Sequence, residues 1–346
     1  TREWMDDFQL NDVNAVLNAV PNVRVEQIET ARTYFVARGF DITNFQRDGL
    51  GLPMPYGLQN GDIDTAIYER VEVLFGANGL MSGTGNPSAT VNFVRKRPTT
   101  DLAGSTAVTV GSWSNLRFDA DISAPLNESG SVRGRAVAAY QQGDSYLDRY
   151  SMDKTVGYGI IEADLSDQTT LAVGASYQKN TPEGVMWGAL PLFYSDGSAT
   201  DFDRSTSTSA DWSYWNTENT QAFIELSHDF GNDWRVVAAY NYEDVAQDSQ
   251  LFYVYGTPDR ETGLGLYAYP SEYSGEYRSN FFDVYGTGGF HLGGRKHELV
   301  FGGNWADAAN TEISWYGNDV GTPIGDLGSW TGDYPKPTFD SYSSYA

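Results

Sequence analysis

Cysteine is absent from the 346 residues, which excludes a disulfide framework and any thiolate metal site. Histidine is nearly absent, and His228, His291 and His297 are too scattered for a zinc-binding spacing. Basic residues are few: 22 Lys and Arg stand against 46 Asp and Glu, and a formal net charge of −24 repels a polyanion at long range. Nucleic acid is therefore not expected as a partner. Long apolar runs are missing too, since no stretch reaches the roughly eighteen residues that a transmembrane helix needs. With a mean hydropathy of −0.44, such a chain would ordinarily be read as water-soluble. Outer-membrane β-barrels escape that test, because their strands alternate apolar and polar residues and never build a long run. Thr1-Arg2-Glu3-Trp4 is not a charged leader followed by an apolar core, so the sequence reads as mature, processed or truncated.

Against these absences stand 23 Tyr, 9 Trp and 37 Gly, residues that barrels use for interface girdles and loops and that extracellular β proteins use to bind sugars. From Met5 to about Ala19 the residues Phe8, Leu10, Val13, Val16 and Leu17 recur at helical spacing ahead of Pro21, which predicts one amphipathic helix. Short strands and turns follow to Arg97. Val71, Val73 and Phe75 alternate with Glu72 and Leu74, and Val91, Phe93 and Val94 form a second run. Gly76, Gly79, Gly83 and Gly85 allow the tight reversal between them. A phosphate-binding reading of these glycines fails, because no GKS or GKT follows and no helix opens after Gly85. Arg95, Lys96 and Arg97 close the segment as the only tight basic cluster.

Beyond Pro98-Thr99-Thr100 the texture becomes period-two. Leu171, Val173, Ala175 and Tyr177 alternate with Thr170, Ala172, Gly174 and Ser176; Ala222, Ile224, Leu226 and His228 alternate with Gln221, Phe223, Glu225 and Ser227. A third run, Trp234 to Glu243, has the same form. Short polar turns are expected at 127–130, 166–168, 231–233 and 293–296, and long loops at Asn180 to Asn219 and Gln247 to Arg278. Short turns at one end and long loops at the other are the pattern of a transmembrane barrel. About nine strands fit between Gly104 and Tyr316, each near the length a tilted strand needs to cross a bilayer. Plugged barrels close with about twenty-two, so this stretch is not expected to close one, and Ser343 to Ala346 reads as part of an outer loop.

Two segments carry a family resemblance. Glu69 to Thr99, ERVEVLFGANGLMSGTGNPSATVNFVRKRPT, and Phe35 to Leu50, FVARGFDITNFQRDGL, together resemble the plug signature of TonB-dependent outer-membrane receptors. Within Asn180 to Trp215, the WGALP, YSDG and ADW segments resemble the siderophore branch that takes ferric hydroxamate or coprogen and pyoverdine-type chelates. The resemblance implies a mixed fold. A small α/β plug domain over residues 1–98 lacks its N-terminal part and TonB-coupling segment, and residues 99–346 form the N-terminal portion of a transmembrane antiparallel β-barrel. It implies siderophore uptake at the bacterial outer membrane, with a ferric siderophore, TonB and outer-membrane lipid as partners. No covalently bound cofactor is expected, the ferric iron being carried within the siderophore, and no catalytic residue. Cobalamin, haem or an oligosaccharide are the alternative solutes, and a secreted all-β carbohydrate-binding protein is the alternative class.

A ferric siderophore is large and partly apolar, so aromatic faces give contact area while one cation orients it. On that logic Trp187, Tyr194, Trp212 and Trp215 are the wall candidates, with Tyr253 and Tyr255 behind them. The resemblance puts the second and third plug apices of the family in the loop from Gly51 to Gly57, which makes Met54 and Tyr56 the candidates on the plug, and Arg47 is the candidate cation. The resemblance gives Arg38 a different role, a plug–barrel lock paired with wall carboxylates. It also marks Phe75 as a departure, because the family usually carries a second arginine there.

Overall fold

A computed structural model describes residues 1–51, 54–76, 87–231 and 233–345, the side chains of Tyr56 and of 341–345 excepted. Gly79, Gly83 and Gly85 of the glycine-rich turn lie outside the described residues. Two short helices open the chain, α1 (Arg2–Asp7) and α2 (Val13–Asn18), where the apolar spacing predicts one. The break has a local cause. Gln9 takes a left-handed φ of 51°, and extended Asp12 accepts a 2.7 Å hydrogen bond from the Ala15 amide, which starts a new helix.

Two four-stranded sheets complete the small N-terminal layer. The first holds β1 (Val23–Gln27), β2 (Arg32–Ala37) and β3 (Phe40–Asp41) in order, with β6 (Gln59–Asn60) also on β2. In the second, β5 (Leu50–Gly51), β4 (Asn44–Arg47), β8 (Ala89–Arg95) and β7 (Tyr68–Phe75) lie side by side, and only the β4–β8 pairing is parallel. The alternating residues pair as expected, Val71 with Phe93 and Val73 with Val91.

The rest of the chain is one ten-stranded antiparallel meander in sequence order. Its strands are β9 (Ala103–Val110), β10 (Leu116–Pro125), β11 (Val132–Asp144), β12 (Ser151–Ser166), β13 (Thr169–Glu183), β14 (Tyr214–Gly231), β15 (Trp234–Gly256), β16 (Leu266–Leu292), β17 (Arg295–Gly317) and β18 (Phe339–Tyr345). Nine fall between Ala103 and Gly317, and all four expected short turns join strands at one end of the sheet. Two loop expectations are corrected. Gln247 to Arg278 is mostly a long hairpin, in which β15 and β16 stay in register from Arg235↔Thr287 to Gly256↔Leu266. Residues 339–345 pair with β17 rather than lying in a loop. Main-chain pairing with an extended neighbour overrode the polar, glycine-containing composition of both segments.

One lateral row shows what the sheet faces. Ile161, Val173, Ile224, Tyr240, Phe282 and Trp305 follow one another by strand register across six strands, and all but Tyr240 are among the exposed large hydrophobics. A continuous exposed apolar band of this kind suits lipid. The opposite face meets the N-terminal layer, where Val137, Ala139, Val156, Tyr158, Ile160, Ala172 and Phe223 join Val13, Leu17, Phe35, Phe45, Val91 and Phe93 in one core. Side chains of six consecutive strands, β10 to β15, reach that layer. Six strands span roughly 24 Å when flat, so the sheet must curve around the layer as a wall around a plug.

Gly174 shows how closely wall and plug fit. A Cβ there would stand 2.5 Å from the Phe223 ring and 2.8 Å from the Gly159 carbonyl oxygen, and the Arg95 guanidinium lies 3.5 Å over that ring. Gly174→Val should therefore destabilise the fold by about 1–3 kcal/mol through overpacking. Thermal unfolding in detergent tests this, and an unchanged midpoint would contradict it.

Candidate functional site

Plug and wall are joined by two buried charge patches of opposite polarity. In the first the plug supplies the cations. Arg97 reaches Glu162 at 3.2 Å and Glu225 at 2.9 Å, Lys96 reaches Asp121 at 2.8 Å, and Arg47 reaches Glu243 at 3.2 Å. Arg95 is bound at 2.6 Å by Asp48 of the plug itself and donates to Asn241 of the wall at 3.1 Å. In the second patch the wall supplies the cations: Arg117 holds Asp64 at 2.7 Å, and Lys154 holds Asp62 at 2.6 Å and Asp64 at 2.8 Å. Asp64, Arg117 and Lys154 are all at least 97% buried, and each is tolerated there because it has two oppositely charged partners, Arg117 also holding Asp119 at 2.7 Å. Burial alone would raise the Asp64 carboxyl, but Lys154 and Arg117 hold it well below the usual carboxylate range. Asp12 is pushed up to about 6, by burial first and by Asp62 second, with Lys154 opposing.

Above these patches lies a cavity of about 430 Å³ between plug and wall. The inward row of β14 lines its side from mouth to floor with Trp215, Thr217, Asn219 and Gln221, and the row continues below it with buried Phe223 and partly buried Glu225. Opposite it the plug turn Asn60-Gly61-Asp62 docks on wall amides. Asn60 donates to Gln247 at 2.5 Å, and the Asp62 carbonyl accepts from Gln178 and Asn180 at 2.6 and 3.0 Å. Gly61 has a φ of +74°, and a Cβ on it would stand 2.5 Å from the Thr217 hydroxyl, so both its conformation and its contact call for glycine.

A second cavity of about 660 Å³ adjoins the first through Arg32, Trp187 and Tyr273, and is otherwise lined by Gly188, Tyr253, Tyr255, Tyr269 and Val320. Trp187 is the hub of its aromatic lining, with ring centroids 5.4–6.3 Å from Tyr273, Tyr253 and Tyr269. The β15–β16 hairpin separates this lining from a small loop core. Tyr253 and Tyr255 face the cavity, while Phe252 and Val254, one residue out of phase, pack with Leu266, Ala268 and Leu327.

Of the sequence candidates, Arg47, Met54, Trp187 and Trp215 line the first cavity. Tyr253 and Tyr255 line the second. Tyr194 and Trp212 stand elsewhere: Tyr194 borders a smaller surface hollow with Arg260, and Trp212 packs on Phe252 and donates to the Tyr334 carbonyl. Tyr56 belongs to a short turn at Pro55–Gly57, and its side chain lies outside the described residues. Arg47, the candidate cation, is paired with Glu243. Arg38 sits in the exposed β2–β3 turn with a left-handed φ of 56°. Among the described residues it forms no ion pair; its guanidinium lies 3.5 Å from where a Gly76 Cβ would stand. The wall carboxylates are taken by Arg47, Lys96 and Arg97 instead, because β8 carries Lys96 and Arg97 into the wall and Arg47 reaches it from the end of β4. Phe75 packs partly buried on the shared core.

Arg32 is the residue that sequence reasoning missed. Glu29 clamps it through two hydrogen bonds of 2.6 and 2.8 Å, it lies 5.6 Å over the Trp215 ring, and it borders both cavities. The Glu-x-x-Arg spacing was its only sequence signal.

Comparison with known proteins agrees with this geometry. Residues 1–90 match the family model of the TonB-dependent Receptor Plug Domain. The Ferripyoverdine receptor of Pseudomonas aeruginosa is 40% identical over 100% of this chain and 43% of its own length. The Ferric-pyoverdine BN7/BN8 receptor of Pseudomonas putida is 35% identical, over 100% and 44%. The crystal structure of the ferripyoverdine receptor of the Pseudomonas aeruginosa outer membrane, bound to ferripyoverdine, superposes with a TM-score of 0.92 at 39% identity, over 99% of this chain and 47% of that one. The chain thus spans less than half the length of each of these three relatives.

Asp64→Asn should cost about 1–3 kcal/mol, since Arg117 and Lys154 each lose a charged partner but keep Asp119 and Asp62; a thermal midpoint equal to wild type would refute that. Asp12 carries the opposite pH sign. Its folded-state value lies above the ordinary 3.8, so the fold favours the protonated carboxyl, and that stabilisation is lost as pH rises through about 6. Asp12→Asn keeps the helix cap. It should melt above wild type near about pH 8 and level with it near about pH 4, and a gap that opens on acidification instead would contradict the assignment.

Proposed function

This chain belongs to the TonB-dependent outer-membrane receptors, and on that premise we propose that it forms the plug and part of the wall of a receptor that captures a ferric siderophore of the pyoverdine class. The observation that carries the reading is the joined pair of cavities above the plug. Aromatic faces from the β13–β14 loop, β14, β15 and β16 meet there over a floor of amides and a clamped arginine. Rigid aromatic rings supply contact area to a bulky, partly apolar chelate at low entropy cost, and amides and a guanidinium orient its polar edge.

No bond of the chelate has to be made or broken for this task. Capture is equilibrium binding at the cavity. Release inward requires the plug to move against the charge patches beneath it, and the energy for that movement would come through TonB, for which the matched plug family is named. Pyoverdine is favoured over haem, cobalamin or a glycan by the relatives' identities over the whole of this chain.

The test is equilibrium titration of the receptor, expressed from its complete gene and purified in detergent, with ferripyoverdine, haem, cobalamin and an oligosaccharide, read by tryptophan fluorescence. Ferripyoverdine should bind and the others should not. Trp187→Ala and Trp215→Ala should each weaken binding by about tenfold or more, roughly 1.4 kcal/mol or above. Preferential binding of another solute, or full affinity in both variants, would overturn the reading.

A further inference from the structure

Behind the two cavities, and lining neither, lies the buried carboxylate of Glu29. It belongs to the plug turn between β1 and β2, which the Ile28 amide closes by donating to the Arg32 carbonyl at 2.9 Å. The Glu29 side chain has no exposed surface. A carboxylate is tolerated in such a place only when its oxygens are satisfied, and both are. Oε1 accepts from Arg32 Nε at 2.6 Å, and Oε2 accepts from Arg32 Nη2 at 2.8 Å and from the Gly188 backbone amide at 3.4 Å.

These bonds reach two different parts of the cavity lining. The pair from Arg32 forms a fork on the carboxylate, which fixes the plane of the guanidinium. The bond from Gly188 fastens the loop that carries Trp187. Beside it the Thr30 hydroxyl donates to the Met186 carbonyl at 3.0 Å, and Ala31 packs with Val185, Trp215 and Leu251. On its other side the loop meets β15: Trp187 and Tyr253 form an isolated parallel bridge, and Gly188, at a φ of 80°, has no room for a Cβ beside the Tyr253 ring. The Trp187 loop is thus held between β15 and the turn that contains Glu29.

We propose that Glu29 is a positioning residue: one plug carboxylate sets both the guanidinium plane of Arg32 and the seat of Trp187, so that the polar and the aromatic contacts offered to a ligand keep a fixed relation. Its two tasks differ in chemistry. The Arg32 fork calls for a charged carboxylate, whereas the Gly188 amide needs only an acceptor. The proposal rests on the reading that these cavities hold a ferric chelate, and it adds what keeps their lining in place before the chelate arrives.

The test has two arms, both on the receptor expressed from its complete gene and purified in detergent. Residue-resolved hydrogen exchange without ligand should show the Gly188 amide exchanging about fivefold or more faster in Glu29→Ala and unchanged in Glu29→Gln. The Gly184 amide, bonded to the Ser213 carbonyl at 2.8 Å and independent of Glu29, should hold in both. Equilibrium titration with ferripyoverdine should show binding weakened about tenfold or more in Glu29→Ala and about threefold or more in Glu29→Gln. In an Arg32→Ala background, Glu29→Gln should change affinity by less than about twofold, a non-additivity that general damage to the fold does not produce. Full affinity in Glu29→Ala, Gly188 exchange that does not respond to it, or a Glu29→Gln loss that persists without Arg32 overturns the assignment. A wild type that binds no ferripyoverdine overturns the functional reading instead, and the exchange arm still decides whether Glu29 holds the Trp187 loop.

Discussion

Plug and wall are held together by charges that neither could bury alone. Each buried guanidinium, ammonium or carboxylate at their interface costs several kcal/mol to desolvate, and is tolerated only because its partner arrives from the other body or from a nearby turn. The two patches run in opposite senses, plug cations onto wall acids in one and wall cations onto plug acids in the other. This double polarity fixes orientation, since a rotated plug would meet like charge. The shared apolar core contributes stability, but apolar contact is non-directional and could not choose one seating.

The cavity follows from that seating. With the Asn60-Gly61-Asp62 turn pinned on Gln178, Asn180 and Gln247, the space left between plug and wall is lined on one side by amides and on the other by rings. The β15–β16 hairpin sets the upper part. Its period-two alternation turns Tyr253 and Tyr255 toward the open space and Phe252 and Val254 into a loop core with Trp212, Trp330 and Tyr334. The aromatic lining is thus backed by packed residues that never touch the cavity, a preorganised arrangement that lowers the entropy cost of binding.

Much of the wall is legible in the amino-acid sequence. Thr170 to Tyr177, Gln221 to His228 and Trp234 to Glu243 read with period two, one face apolar and the other mixed or polar, and their polar turns fall where the strands reverse. The plug's β7 and β8 are legible for the same reason. The helix break at Gln9 is not, because the apolar spacing continues across it while an Asx cap and one left-handed residue decide the backbone. Nor is the height of the β15–β16 hairpin, whose composition reads as loop. Among the site residues, Trp187, Trp215, Met54 and Arg47 line the cavity, but Trp212 and Tyr194 are turned elsewhere by loop packing that has no period in the sequence. Arg32 is hidden because its value lies in Glu29 and Trp215, and Trp215 is far away along the chain.

Local pattern determined the strands, their faces, the short turns and the basic cluster at 95–97, because alternation and turn chemistry act between residues a few positions apart. Only the folded arrangement decided which cation meets which carboxylate, which aromatics share a cavity, and that Arg38 stands exposed while Arg97 bridges two strands of the wall. Those pairings join residues as distant as Arg47 and Glu243. A charge has no sequence-encoded direction, so its partner is chosen when the curved wall packs against the plug and removes water from both.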